Sequence, residues 1–178
     1  MKPDVERQGK QPDRQRPVRF LLLFSGLLVL FQVLFVAVLA PSPLFASYLN
    51  LNARMSSFVL GLLGHAAIAQ GDAILCGLGS LQIKRGCDAA QPCGILVAAV
   101  LAYPGTWKAK LAAAGLGVLV LSGLNVVRIV TLVFAAGGHP RVFDLLHEAV
   151  WPTAMILIAF ALWAAWIRIG RSAPEPAR

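Results

Sequence analysis

The chain has 178 residues, of which 58% are hydrophobic and 13% charged, with a formal net charge of +8. Charged residues at about half their usual share, beside an apolar majority, exclude an ordinary soluble domain and indicate an integral membrane protein. The positive balance does not indicate a nucleic-acid binder, because the basic leader is a Gln- and Pro-rich segment of disordered type rather than a folded face with stacking aromatics.

Residues 1–19 read as a disordered, basic, cytoplasmic leader. Four stretches are apolar and long enough to span a bilayer: Phe20–Ala40, Ala89–Trp107, Ala109–Ala135 and Val150–Ile169. The first has the basic leader of a signal peptide but is too long for an h-region, and no clean small-residue cleavage pattern precedes Pro41 and Pro43, so a retained signal anchor is expected. The second is the shortest, with a core from Cys93 to Tyr103. Cutting the chain at these spans puts eleven of the sixteen Lys and Arg residues on one side, in the leader, at Lys108 and Lys110, and in the tail. Arg54, Lys84, Arg85 and Arg141 fall on the other. Positive charge marks the cytoplasmic face, which places both termini inside and residues 41–88 and 136–149 outside.

In the outer segment, Asn50 or Asn52 is expected to cap a helix over Met55–Gln70, whose Phe58, Leu62 and Leu63 suit the bilayer surface. Alternation from Leu75 to Lys84 predicts a small hairpin within Asp72–Gly86, ending at Cys87. No repeat and no soluble second domain is visible. The fold class is therefore an all-α integral membrane protein of about four transmembrane helices, with a small extracytoplasmic helix and a short hairpin. The transmembrane domain covers 20–169, and 170–178 form a cytoplasmic tail.

Arg128 is the most informative residue. A guanidinium near the centre of an apolar run costs roughly 2.5–3.5 kcal/mol on insertion scales and is normally kept for use. Asn125, Arg128 and Thr131 recur at three-residue spacing, so a helix lines them up as one polar stripe facing a bundle interior. Three cysteines, Cys76, Cys87 and Cys93, lie on or near the outer side. Their odd number leaves at least one thiol free in an oxidising compartment. Cys76 and Cys93 read as small buried hydrophobes rather than reactive thiols. Cys87 follows Lys84, Arg85 and Gly86 and precedes an expected helix start, and both features are expected to lower its pKa. Of His65, His139 and His147, the first two read as interfacial polar residues. His147 stands three residues after Asp144, which a helix would offer as an acceptor fixing its tautomer. On this topology Cys87, the outer third of the Arg128 helix and His147 share one side of the membrane.

Four blocks carry a family resemblance: Gly86-Cys87, Ala98–Pro104, the Leu124–Val130 stretch around Asn125-Val126-Val127-Arg128-Ile129, and Phe143–Trp151 with His147. Together they resemble the exosortase/archaeosortase membrane transpeptidases, most closely the exosortase H subfamily, over roughly Phe20–Trp166. The resemblance implies a cysteine nucleophile at Cys87, an arginine at Arg128 and a histidine at His147; Asn125 on the polar stripe and Asp144 beside His147 are the expected supporting residues. It also implies a bacterial inner-membrane setting with the site facing outward. The implied substrate is a membrane-tethered protein with a carboxy-terminal sorting signal made of a short motif, an apolar helix and a basic tail. An Ile-Pro-Thr-Leu type of motif is implied, rather than Pro-Glu-Pro. Members commonly follow the cysteine with a small polar residue and a glycine, whereas this chain has Cys87-Asp88-Ala89, with Cys93-Gly94 six residues on. Spacing to Tyr103-Pro104 favours Cys87 over Cys93.

Two other classes compete. A membrane thiol-disulfide oxidoreductase would use the three cysteines, but its Cys-x-x-Cys is missing and Arg128 has no role in it. A non-catalytic subunit or carrier would pair Arg128 with Asp88, Asp144 or Glu148. Neither a cofactor nor a metal is expected, since the histidines are not at ligand spacing and the cysteines form no Cys-x-x-Cys pair. The expected partners are the bilayer and the tethered substrate, with no nucleic acid.

Overall fold

A computed structural model describes residues 15–138 and 140–172. Most of the predicted leader, the last tail residues and His139 lie outside the described residues. Helix α1, Gln15–Leu34, starts inside the stretch read as leader and runs on through a π-helical turn, Phe35–Leu39, so one apolar rod covers Pro17–Leu39.

Helix α2, Pro43–Leu62, corrects the expected helix over Met55–Gln70. Its cap is Ser42, whose Oγ accepts from the Phe45 amide at 3.3 Å, with Pro43 at the first helical position. Asn50 and Asn52 lie inside the helix, so the Ser-Pro start overrides their capping preference. The chain leaves α2 through Gly64 at a positive φ of 85°. Phe58, Leu62 and Leu63 are exposed, on a stripe shared with Leu51 and Met55.

Where one hairpin was expected, three antiparallel strands form a meander: β1 Ala67–Gln70, β2 Ala73–Cys76 and β3 Gly79–Gln82, joined by the two-residue turns Gly71-Asp72 and Gly77-Leu78. Ala67 faces Cys76, and Cys76 faces Gly79. The β2–β3 turn sits on the end of the fourth helix, so close to Gly137 that a side chain there would strike the Leu78 carbonyl.

Helix α3, Ala90–Ala102, has 13 residues and a length of about 20 Å, short of the roughly 30 Å hydrocarbon core. Helix α4, Trp107–Ala136, is capped by Thr106. A short helix α5, Pro140–Asp144, a π-helical turn, Leu145–Val150, and α6, Trp151–Ser172, form the last apolar rod over Pro140–Ile169. The protein is thus a mostly helical membrane protein with a small sheet: three described helical stretches have spanning length, and the expected second span is shorter.

Among those three, α4 is the most enclosed. Helix α3 packs on α1, α4 and α6, while α2 packs on α4 and the sheet, and β3 rests on α4. Two apolar clusters result. One joins Leu60, Ile74, Ile83, Ile129 and Val133, and the other joins Leu96, Val100, Leu121, Met155 and Ala159. Cys87 belongs to the first and Ala89 to the second, so the segment from Cys87 to Ala89 bridges the two cores.

Candidate active site

Cys87 lies in the loop between β3 and α3 and is 6% exposed. The loop turns through two left-handed residues, Gly86 at φ 94° and Ala89 at φ 61°. Between them, Asp88 folds its carboxylate back, and its two oxygens accept from the amides of Gly86 at 3.2 Å and Ala90 at 2.8 Å. Tyr48 of α2 donates its hydroxyl to the Asp88 carbonyl.

Helix α4 brings Arg128 to the thiol. Its Nη2 stands 3.8 Å from Cys87 Sγ, and the residue is buried. The π-helical turn after α5 brings His147, with Nδ1 at 3.3 Å and Nε2 at 3.8 Å from the same sulfur. Which ring nitrogen donates depends on the tautomer. The structure therefore gathers Cys87, Arg128 and His147 around one sulfur atom. Among the described residues no carboxylate forms a salt bridge with Arg128, and its buried Nε–H has no hydrogen-bond partner.

The polar stripe on α4 reaches three different elements. Asn125 Nδ2 donates to Asn52 Oδ1 on α2 at 3.1 Å, and Asn52 Nδ2 donates in turn to the Tyr48 carbonyl at 2.9 Å. Arg128 meets the Cys87 loop. Thr131 Oγ1 donates to the Arg128 carbonyl at 2.8 Å and accepts from Trp151 Nε1 at 2.9 Å, which ties α6 to α4. Asn125 thus bonds to α2, not to the thiol. Asp144 does not meet His147. It is exposed, no hydrogen bond joins the two among the described residues, and the His147 ring stacks on Phe143 at 5.5 Å. The π-helical turn that begins after Asp144 changes the facing assumed for an α-helical i, i+3 pair.

The electrostatics correct one expectation. Lys84 and Arg85 are exposed, and the cation that acts on the thiol is Arg128. Burial pushes the Cys87 thiol above its ordinary value; Arg128 opposes this and Asp88 adds to it. His65 lies edge-on to Phe134, and Cys76 and Cys93 are free thiols in β2 and α3. Sequence reasoning missed Tyr48, Asn52 and Trp151, whose signals are weak: a Tyr and an Asn one turn apart on α2, and a Trp at a helix start.

The fold and this site define an integral membrane protein with a buried thiol and guanidinium beside a half-buried imidazole. The transmembrane exosortase family model (Exosortase_EpsH) matches residues 18–165, and the chain belongs to that family. No match is found among curated proteins or solved structures.

Proposed function

We propose that the protein is a membrane cysteine transpeptidase or endopeptidase that cleaves the carboxy-terminal sorting signal of membrane-tethered surface proteins. The observation that carries this reading is the 3.3 Å approach of His147 Nδ1 to Cys87 Sγ beside a buried guanidinium whose Nε–H has no partner. A thiol held above its ordinary pKa by burial attacks only if a base takes its proton as the bond forms, and His147 is within reach. The sulfur then bonds to the scissile carbonyl carbon, and the oxyanion that develops meets Arg128, whose unpaired donor is free to receive it. As the carbon–nitrogen bond breaks, His147 returns the proton to the leaving amine. A thioester on Cys87 remains, to be resolved by an acceptor amine or by water.

The charge distribution supports an extracytoplasmic site with both termini cytoplasmic, and the family resemblance supports a bacterial inner membrane as the setting. The test is processing of a co-expressed tethered substrate carrying a motif, an apolar helix and a basic tail, with reporter fusions at residue 178 for orientation. Cleavage by the wild type and none by Cys87→Ala is expected; full cleavage by Cys87→Ala ends the thiol mechanism.

A further inference from the structure

The reaction above leaves one buried ionisable group beside the sulfur without a task. Asp88 is 1% exposed, and a carboxylate is kept at such depth only when it is bonded. Its bonds are local and specific. One oxygen accepts from Gly86 and the other from Ala90, so the side chain closes a clasp around Cys87 with one amide on each side. An amide side chain in its place keeps an acceptor at only one of the two positions and turns an NH2 donor toward the other backbone amide. The Asp88 carbonyl is fixed separately by the Tyr48 hydroxyl, so residue 88 is tied through main chain and side chain alike.

The clasp also carries charge. Arg128 from α4 acts on both Cys87 and Asp88, and Asp88 acts on Cys87. Burial pushes the Asp88 carboxyl above its ordinary value, while the amides of Ala90 and Gly86 and the Arg128 guanidinium pull it back, all three favouring the ionised form. His147 from the π-helical turn, Tyr48 from α2 and Cys93 from α3 complete the ionisable groups around the loop.

We propose that Asp88 is a positioning residue for the thiol: its carboxylate holds the Gly86–Ala90 loop closed, so that the Cys87 sulfur is presented between Arg128 and His147, and it sets a negative charge against the guanidinium there. The inference rests on Cys87 being the reacting thiol, and its test reads that thiol without any substrate. Full-length protein in its membrane, carrying Cys76→Ala and Cys93→Ala, is alkylated with iodoacetamide from neutral to alkaline pH. Asp88→Asn and Asp88→Ser remove the charge. Both are expected to move the pH profile toward acid and to speed neutral-pH alkylation by about threefold to tenfold, since a like charge disfavours the thiolate. Opening the loop would also relieve the burial that raises the thiol, so the acid shift reads the loss of the carboxylate as a whole, clasp and charge together. Asp88→Glu restores the charge and is expected to return the midpoint to the wild-type position.

Cleavage of the tethered substrate by the uncharged variants is expected to fall about tenfold or more despite the more acidic thiol, because the sulfur is no longer held in place. Serine accepts from nearby amides in loops and caps, so Asp88→Ser keeps the test open if Asp88→Asn fails to fold. Wild-type midpoints in both uncharged variants, or full cleavage by Asp88→Ser, overturn the proposal. A wild type that cleaves no substrate counts against the peptidase reading instead, and the alkylation profile still decides the role of Asp88.

Discussion

The indole Nε1 of Trp151 donates to Thr131 Oγ1 at 2.9 Å, one helical turn beyond Arg128, and this bond joins the start of α6 to the helix that carries the guanidinium. His147 sits one turn before Trp151, in a π-helical segment with no buried residues of its own. The tether is therefore what sets the imidazole against a sulfur presented from another element. Trp151→Phe keeps the ring and loses the donor, a net change of about 1 kcal/mol. It is expected to lower substrate cleavage roughly tenfold through misplacement of His147, with membrane abundance nearly unchanged. Adding Thr131→Val should make cleavage scarcely worse, since both changes remove the same bond. Full additivity in that pair would mean that the Trp151–Thr131 bond is not what the two substitutions remove.

In the proposed mechanism Cys87, Arg128 and His147 act on one carbonyl, so Cys87→Ala, Arg128→Ala and His147→Ala are each expected to reduce cleavage below detection. Cys76→Ala and Cys93→Ala should leave most of it. Groups working as a unit are not additive, and the double loss of Cys87 and His147 should resemble either single loss. Immunoblots of processed and unprocessed substrate read all six variants, and retained cleavage in His147→Ala would remove the base from the scheme.

The apolar runs made the long helices legible, and the three-residue recurrence on α4 marked the face that meets other elements. The charge-based topology put Cys87, Arg128 and His147 on one side of the membrane, and the structure gathers them at a single sulfur. What stayed hidden depends on tertiary context. Strand β1 is Ala67-Ile68-Ala69-Gln70, a weak strand sequence that forms by pairing with β2. Helix α3 starts within one residue of the expected Ala89 and is shorter than its apolar composition suggested because it stops at Ala102, before Tyr103 and Pro104. Asp144 was misread because a π-helical turn leaves no local signature of the kind that i, i+3 reasoning uses. The thiol's environment was misread because Lys84 and Arg85, adjacent in sequence, point to solvent, while the desolvating residues come from α2 and α4.

Ala89 occupies a left-handed conformation, φ 61°, that a side chain disfavours by roughly 1–2 kcal/mol. The family commonly places a glycine at this position of the motif, where the strain vanishes. Ala89→Gly is accordingly expected to stabilise the folded protein by about 1 kcal/mol after the entropy of glycine in the unfolded chain is set against the relief. Thermal unfolding in detergent checks this, with a midpoint a few degrees above wild type expected. A lower midpoint would show that the Ala89 methyl, buried in the second apolar cluster, contributes more by packing than it costs in strain.

Arg128 separates the enzymatic reading from a structural one by what it tolerates. As an oxyanion clamp it must present donors in a fixed plane, and its buried, unpartnered Nε–H is the donor without a structural task. Lysine has no equivalent of that Nε–H and carries a compact charge on a flexible stem. Arg128→Lys is therefore expected to reach the membrane and fold nearly as the wild type does while cleaving about 10²–10³ more slowly, the range seen when one oxyanion donor is lost. It should also keep Cys87 alkylation near the wild-type pH profile, because the charge that pulls the thiol down is retained. Arg128→Ala removes that charge, so the thiol is expected to titrate still higher and neutral-pH alkylation to slow. As a structural counter-ion, by contrast, Arg128 needs only its charge. Lysine would then preserve cleavage, and alanine would leave Asp88 buried without a nearby cation and lower stability. Membrane abundance, thermal midpoint, alkylation profile and cleavage measured on both variants decide the matter. Wild-type cleavage by Arg128→Lys beside an unstable Arg128→Ala would assign the guanidinium to the fold and leave the oxyanion to some other donor.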